Sequence, residues 1–375
     1  MDKFSLIMHP LSLQDYARKF PQTKYLPDLI LKGAARFLPP FQISAIKGIQ
    51  SSFAAVEGEL RWCPLTTDQI LGLPTAVTQR KIISAVKSAE KNGAKIAGLG
   101  AWTAVIGEGG TAIAREVGIP VTTGNSYTLF CALEGTKKAA RSRGINWERA
   151  NLVILGATGL KDSASTCARL LARENRYVTL LIQEQTNHAD LDKLTAEILY
   201  ETGVAVRITG NLKEVLRQAE VVIAFTTVTD FFAEIEPGNL PRGAVVCDVL
   251  WPRKLAQKVV QKRRDILVIG EGVVEVPGRP EFNCEAGFQR QRGGDTPIKE
   301  QGVLWGAGVS SEERGQCPAW MAEVLILALE KRYEAYSLGN NIRIGQVEEI
   351  GRLAHKHGFK SAGFQGLEDC RQIFA

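Results

Sequence analysis

The residues best placed to do chemistry begin at Gly156-Ala157-Thr158-Gly159, which follows the apolar run Leu152-Val153-Ile154-Leu155. A strand that ends in glycine and feeds a helix lets backbone N–H groups approach a pyrophosphate, with the positive end of the helix dipole behind them. Leu160 continues the turn, and Ala164, Cys167, Ala168 and Leu171 then recur at helical spacing, the apolar face such a helix lays on a sheet. The third glycine of the dinucleotide fingerprint is absent, and Lys161-Asp162-Ser163 puts an acid near the phosphate position. The residue closing the second strand ordinarily reads the adenosine ribose, an acid for NAD and an arginine for NADP. Here the run is Gln183-Glu184-Gln185. Glu184 favours NAD by its charge, and a solvated strand end is the plainer alternative. Thr226 and Thr227, directly after another apolar strand, join the cofactor-binding set, so the cofactor is NAD or NADP.

A reaction also needs a nucleophile or a polar grip on the substrate. The seven cysteines form no Cys-x-x-Cys pair and the four histidines complete no zinc pattern, so no metal site is expected. Cys317 is the candidate nucleophile. Pro318 suits a first helical position, which would put Cys317 at a helix N-terminus where a thiol shifts toward the thiolate, with Arg314 adding positive charge. Equally, Cys317 continues the apolar stripe Trp320, Met321, Val324, Leu325 and Ala328 as a small buried residue. Cys131 and Cys284 are weaker candidates. Thr103, Asn125 and Ser126 end strand-like runs of the first part of the chain and are the substrate-binding candidates, with helix capping as the alternative for Asn125 and Ser126.

The elements that must position these groups are legible from periodicity. From Asn151 the chain alternates: strand Leu152–Leu155, helix to Arg173, strand Tyr177–Ile182, helix Asp190–Glu201, strand Val204–Ile208, helix Leu212–Gln218, then strands Val221–Phe225, Ala244–Val249 and Ile266–Ile269. Apolar, β-branched strands separated by helices require a parallel sheet buried on both faces. Upstream, a helix over Gln79–Asn92, a strand over Lys95–Gly100, an edge at Pro120–Thr122 and a helix over Tyr127–Arg141 make a second α/β region. After Gly272 come glycine-rich loops, a helical run over Pro318–Tyr336 and a helix over Ile344–His357. The fold class expected is α/β: a central Rossmann-type parallel sheet, a separate N-terminal α/β substrate domain and C-terminal helices. The corresponding boundaries are 1–145, 146–275 and 276–375.

Several separated segments resemble the cyanobacterial long-chain acyl-[acyl-carrier-protein] reductases, which form fatty aldehydes. They are Lys91-Asn92-Gly93, Leu99-Gly100-Ala101-Trp102-Thr103, Thr123-Gly124-Asn125-Ser126-Tyr127-Thr128, Gly156–Gly159, Gly272-Val273-Val274-Glu275, Ala322-Glu323 and His357-Gly358-Phe359, in matching order. The resemblance implies an N-terminal substrate domain, an NADPH-binding Rossmann domain and a cysteine acyl-enzyme released by hydride. Three departures stand against it. Lys161-Asp162-Ser163 replaces the family's glycine, no arginine follows the second strand, and the family's nucleophilic cysteine falls on Trp320.

Composition bounds the rest. Hydrophobic residues at 45% and charged residues at 23% describe a soluble globular chain, and no apolar run approaches the length of a spanning helix, so a cytoplasmic protein without a transmembrane segment is expected. Basic clusters at Lys137, Lys138, Arg141 and Arg143 and at Arg253, Lys254, Lys258, Lys262, Arg263 and Arg264 fit solvated helix faces or an acidic acyl carrier protein. No nucleic-acid-binding signature accompanies them, and a homo-oligomer stays open. The leading function is NAD(P)H-dependent reduction of an acyl thioester, on acyl carrier protein or coenzyme A, to an aldehyde. The alternatives are a shikimate-dehydrogenase-like oxidoreductase acting by direct hydride transfer and a non-catalytic nucleotide-binding protein.

Overall fold

The computed structural model describes residues 1–156, 162–182, 188–225, 235–250, 253–284, 315–339 and 341–363. They divide into two compact units. One comprises Met1–Gly124, Val274–Gly339 and Arg352–Lys360; the other comprises Asn125–Val273 and Asn340–Gly351, with the C-terminal residues from Ser361. The chain after 275 contributes to both units.

In the first unit, strands β1 (Asp2–Met8), β2 (Phe41–Gln50), β3 (Ala55–Trp62), β4 (Ala94–Leu99) and β5 (Val121–Thr122) form most of one sheet. Strand β1 runs parallel to both β3 and β4, and β4 runs parallel to β5, while β2 and β3 form an antiparallel hairpin. Helix Thr75–Lys91 lays Ile82, Val86 and Ala89 on this sheet as its spacing predicts, with Ala85 buried beside them and Ile83, expected in the stripe, only partly buried. Strand β1 lies in the interior of the sheet. Phe4, Leu6 and Ile7 are buried on both of its faces, and the polar Ser5 is accommodated by Glu59 on the neighbouring strand.

In the second unit, β6 (Leu152–Leu155), β7 (Val178–Leu181), β8 (Arg207–Thr209), β9 (Val221–Ala224), β10 (Val245–Asp248) and β11 (Leu267–Ile269) form a six-stranded sheet ordered β11-β10-β9-β6-β7-β8. Every neighbouring pair in it is parallel. This is the doubly wound order of dinucleotide-binding domains, in which the chain reverses direction across the sheet between the first and fourth strands. Side chains alternate between two cores as the two-residue strand period demands: Leu152, Ile154, Val221 and Ile223 on one face, Val153, Leu155, Val222 and Ala224 on the other. Helices Asn125–Ser142, Ser163–Ala172 and His188–Thr202 cover the first face, and Leu212–Gln218 and Lys254–Lys262 cover the second. The α/β architecture with a Rossmann-type sheet is as the sequence predicts. Only β8 is displaced, to Arg207–Thr209, because Val204 and Val206 pack against the core without entering the ladder.

Three further strands lie at the ends of the stretch read as loop. Strand β12 (Val273–Glu275) neighbours β14 (Gln316–Pro318) in a small sheet, and β13 (Gly278–Cys284) pairs antiparallel with β2, completing the order β13-β2-β3-β1-β4-β5. The helical run predicted to Tyr336 stops earlier, as helix Ala319–Leu329. Among the described residues no helix is long and apolar enough to cross a membrane, and no cluster of three or more His, Cys, Asp or Glu could hold a metal ion.

Candidate functional site

In the second unit, Gly156 leaves β6 at φ +97°, a backbone conformation strained for any residue with a Cβ. Its strand adjoins both β7 and β9, so Gly156 stands at the point where the strand order reverses, the usual place for a dinucleotide. Ala157, Thr158, Gly159, Leu160, Glu184, Thr226 and Thr227 lie outside the described residues. Asp162 caps helix Ser163–Ala172, with Oδ1 accepting the Ser165 N–H at 2.7 Å. A carboxylate therefore already serves the amide that a phosphate would otherwise attract. The fit to a dinucleotide accordingly rests on the glycine turn and the switch point, with the helix end contributing less than usual.

At the same sheet edge, Asp248 closes β10 fully buried. Its Oδ2 accepts the Ala256 N–H at 2.9 Å, while Oδ1 has no hydrogen-bond partner among the described residues. Burial is the largest influence on this carboxyl and pushes its pKa up to about 7, against the opposing pull of the helix amides and Arg253. The sequence reading missed Asp248. An acid closing an otherwise apolar buried strand was the available signal.

Among the described residues, five members of the basic clusters have acidic partners. Lys137 reaches Glu134 and Glu174, Arg253 pairs with Glu271, Lys258 and Lys262 share Glu236, and Arg263 lies 2.7 Å from Asp265.

The polar candidates resolve into different roles, Thr103 in the first unit and Asn125 and Ser126 at the start of the second. Thr103 is fully buried, donates to the Gly100 carbonyl at 2.7 Å and accepts the Gly100 N–H at 3.0 Å, locking the turn after β4. Its hydroxyl is engaged by this turn. Helix Asn125–Ser142 begins at Asn125 itself, and Ser126 is fully buried inside its first turn. His9, buried behind the turn that Thr103 locks, accepts the Trp102 N–H through Nε2 at 3.3 Å and has its pKa lowered to about 4 by burial, so it stays neutral.

Two glycines of the first unit owe their identity to Trp320. A Cβ on Gly100 would lie 2.5 Å from Cη2 of the Trp320 ring, and a Cβ on Gly124 would lie 2.5 Å from the Trp320 Cα and closer still to its carbonyl oxygen. One turn further along helix Ala319–Leu329, Glu323 is fully buried and accepts from the Thr122 hydroxyl and from Ser337 Oγ, the latter at 3.0 Å. It is the one charged residue in an otherwise apolar helix, the signal that could have marked it. Glu323→Ala should cost about 3 kcal/mol in urea unfolding by removing the carboxylate that two buried hydroxyls donate to, and Glu323→Gln, which keeps an acceptor, clearly less.

Cys317 differs from its expected place. Pro318, at φ −57° and ψ 147°, is itself the cap of the helix, so Cys317 falls one residue earlier, inside β14, and is 1% exposed. Burial pushes Cys63, Cys131 and Cys247 up to about 12 and Cys167 well above its ordinary value, which leaves these thiols protonated near neutrality.

No family model matches the chain. It is 26% identical over 369 residues to the long-chain acyl-[acyl-carrier-protein] reductase of Synechococcus elongatus, covering 95% of this chain and 98% of that protein. It is 28% identical over 365 residues to the aminotransferase PigE of a Serratia species, again over 95% of this chain, and spans 39% of that protein's length. Among solved structures, shikimate 5-dehydrogenase of Listeria monocytogenes aligns over 72% of this chain and 86% of its own, at 12% identity and a TM-score of 0.35.

Proposed function

We propose that the chain is an NAD(P)-dependent oxidoreductase that reduces an acyl thioester to an aldehyde. The observation that carries the reading is the pairing of a doubly wound sheet, with Gly156 at its switch point, with end-to-end similarity to an acyl-[acyl-carrier-protein] reductase. Backbone amides of Gly156, Ala157, Thr158, Gly159 and Leu160 would hold the pyrophosphate, Glu184 the ribose, and Thr226 and Thr227 the remainder of the cofactor. A reduced nicotinamide held there would supply the hydride that, with a proton from solvent, converts the thioester into aldehyde and free thiol. Asn125 and Ser126 are proposed at the substrate, whereas the hydrogen bonds of Thr103 support a role in shaping its own turn after β4. An acidic acyl carrier protein is the proposed donor, with coenzyme A as the alternative carrier. The aminotransferase relative fits an aldehyde product, because transamination consumes a carbonyl compound; transamination itself is left to that protein.

Cys317 is the proposed nucleophile of an acyl-enzyme path, as the thiol nearest in sequence to the position the resemblance assigns to catalysis. A second reading, direct hydride transfer to the carbonyl without a covalent intermediate, is favoured by Trp320 at that position and by the burial of Cys317 in β14. Purified chain incubated with acyl carrier protein and coenzyme A thioesters is expected to form aldehyde with NADH or NADPH. Formation of no aldehyde with any pairing overturns the reductase reading. Cys317→Ala should abolish turnover if the acyl-enzyme forms, and an unchanged rate assigns direct transfer instead.

A further inference from the structure

We infer that residues 20–37 of the first unit form a membrane-surface anchor that docks on anionic lipid. Helix Asp28–Ala35 turns Leu31 and Ala35 inward onto Tyr16, where Leu13, Leu38 and Trp62 complete a small core. Its opposite side is apolar too. Leu29 is 83% exposed and Ile30 56%, and a side chain at Gly33 would meet nothing within 4 Å. Leu29, Ile30 and Gly33 share the outward side of the helix by their spacing, and Leu26 before it and Phe37 after it are exposed beside them. Tyr25 and Phe37 are exposed at 77% and 86%, and Phe20 lies at the start of the segment. Together these side chains present an apolar surface on the order of several hundred Å², at or beyond what a soluble monomer ordinarily leaves uncovered.

Charge decides the occupant. Residues 20–37 contain Lys24, Lys32 and Arg36 against the single acid Asp28. Lys24 Nζ sits 4.8 Å over the Tyr25 ring, and Lys32 is 3.8 Å from Asp68, with much of its side chain in solvent. Aliphatic side chains flanked by aromatic rings and interleaved with lysine and arginine match the layered chemistry of a bilayer surface: acyl chains, then interfacial polarity, then anionic headgroups. Side chains that project singly suit a fluid layer, which needs no complementary socket. The inference stands independently of the reaction proposed above.

Flotation of the full chain with phosphatidylcholine vesicles, with and without phosphatidylglycerol, tests it. The chain should bind the phosphatidylglycerol vesicles at low salt, bind neutral vesicles at least about tenfold more weakly, and detach as salt rises. Leu29→Asp with Phe37→Asp should lower binding at least about tenfold, and Lys24→Glu with Arg36→Glu should remove the preference for anionic lipid. Since all four side chains are largely in solvent, the thermal midpoint should hold in both variants, which separates lost docking from lost folding. Binding to neither vesicle, or equal binding by the Leu29/Phe37 variant, overturns the inference. So does a wild-type dimer that the same variant renders monomeric without vesicle binding, or saturable binding of acyl carrier protein at this face in place of lipid.

Discussion

Gly124→Ala should leave the chain unable to reach a stable fold, and removing the Trp320 side chain should not restore it. Gly124 has φ +80°, where an alanine is strained whatever the space around it, and the new Cβ would overlap the backbone of Trp320, which has no rotamer by which to withdraw. The combined cost is at least about 4 kcal/mol, a large part of the stability of an ordinary domain. Gly100→Ala tests the same contact from the other side. Gly100 has φ −120°, which any residue adopts, and its Cβ would meet only the far end of the indole. That substitution should cost about 2 kcal/mol. In urea unfolding, Gly100→Ala combined with Trp320→Ala should be less destabilised than the sum of the single changes by at least about 1 kcal/mol. Additive costs in that double variant, or a soluble and cooperative Gly124→Ala protein, would show that Trp320 does not pack as described.

Asp248→Asn should flatten the dependence of stability on pH between about 4 and 7. Burial raises the folded-state pKa of Asp248 from 3.8 to about 7, so across that interval the folded protein holds a proton that the unfolded chain has released. The group's contribution is therefore fully present below pH 3.8, lost as pH rises toward 7, and constant above. A rise of that size corresponds to roughly 4 kcal/mol between the two ends of the interval. Asparagine keeps an acceptor for the Ala256 N–H and does not titrate, so any fixed cost of its buried amide shifts the curve without tilting it. Unfolding midpoints of both proteins across the range give the difference directly, and parallel curves would contradict the buried, half-partnered carboxyl. Because Asp248 closes β10 at the proposed cofactor edge, cofactor affinity through the same range shows whether this proton also matters to binding.

Taken by themselves, the residues from Asn151 to Ile269 determined a parallel sheet wound on both sides. Runs such as Leu152–Leu155 and Val221–Ala224 are apolar at every position, and only a strand covered on both faces buries them all. The glycine after β6 was legible for the same local reason, since a chain turning at φ +97° excludes a Cβ. The N-terminal sheet was far less legible. Strands β2 and β3 mix buried apolar residues with Lys47, Glu57, Glu59 and Arg61, and a fully buried Arg61–Glu59 pair looks, from sequence, like a solvated surface.

Only the tertiary structure decided which polar groups meet. Glu323 finds Thr122, 201 residues earlier in the chain, and Trp320 meets Gly100 and Gly124 across similar separations, which no local period encodes. Cys317 and Asp162 were settled within a few residues yet still needed the fold. A proline can stand at the cap or at the first turn of a helix, and an acid before a helix can face a ligand or fold back onto the helix's own amides. In each pair both conformations are locally allowed, and the choice was made by packing: β14 draws Cys317 into the interior, and the Ser165 N–H takes the Asp162 carboxylate.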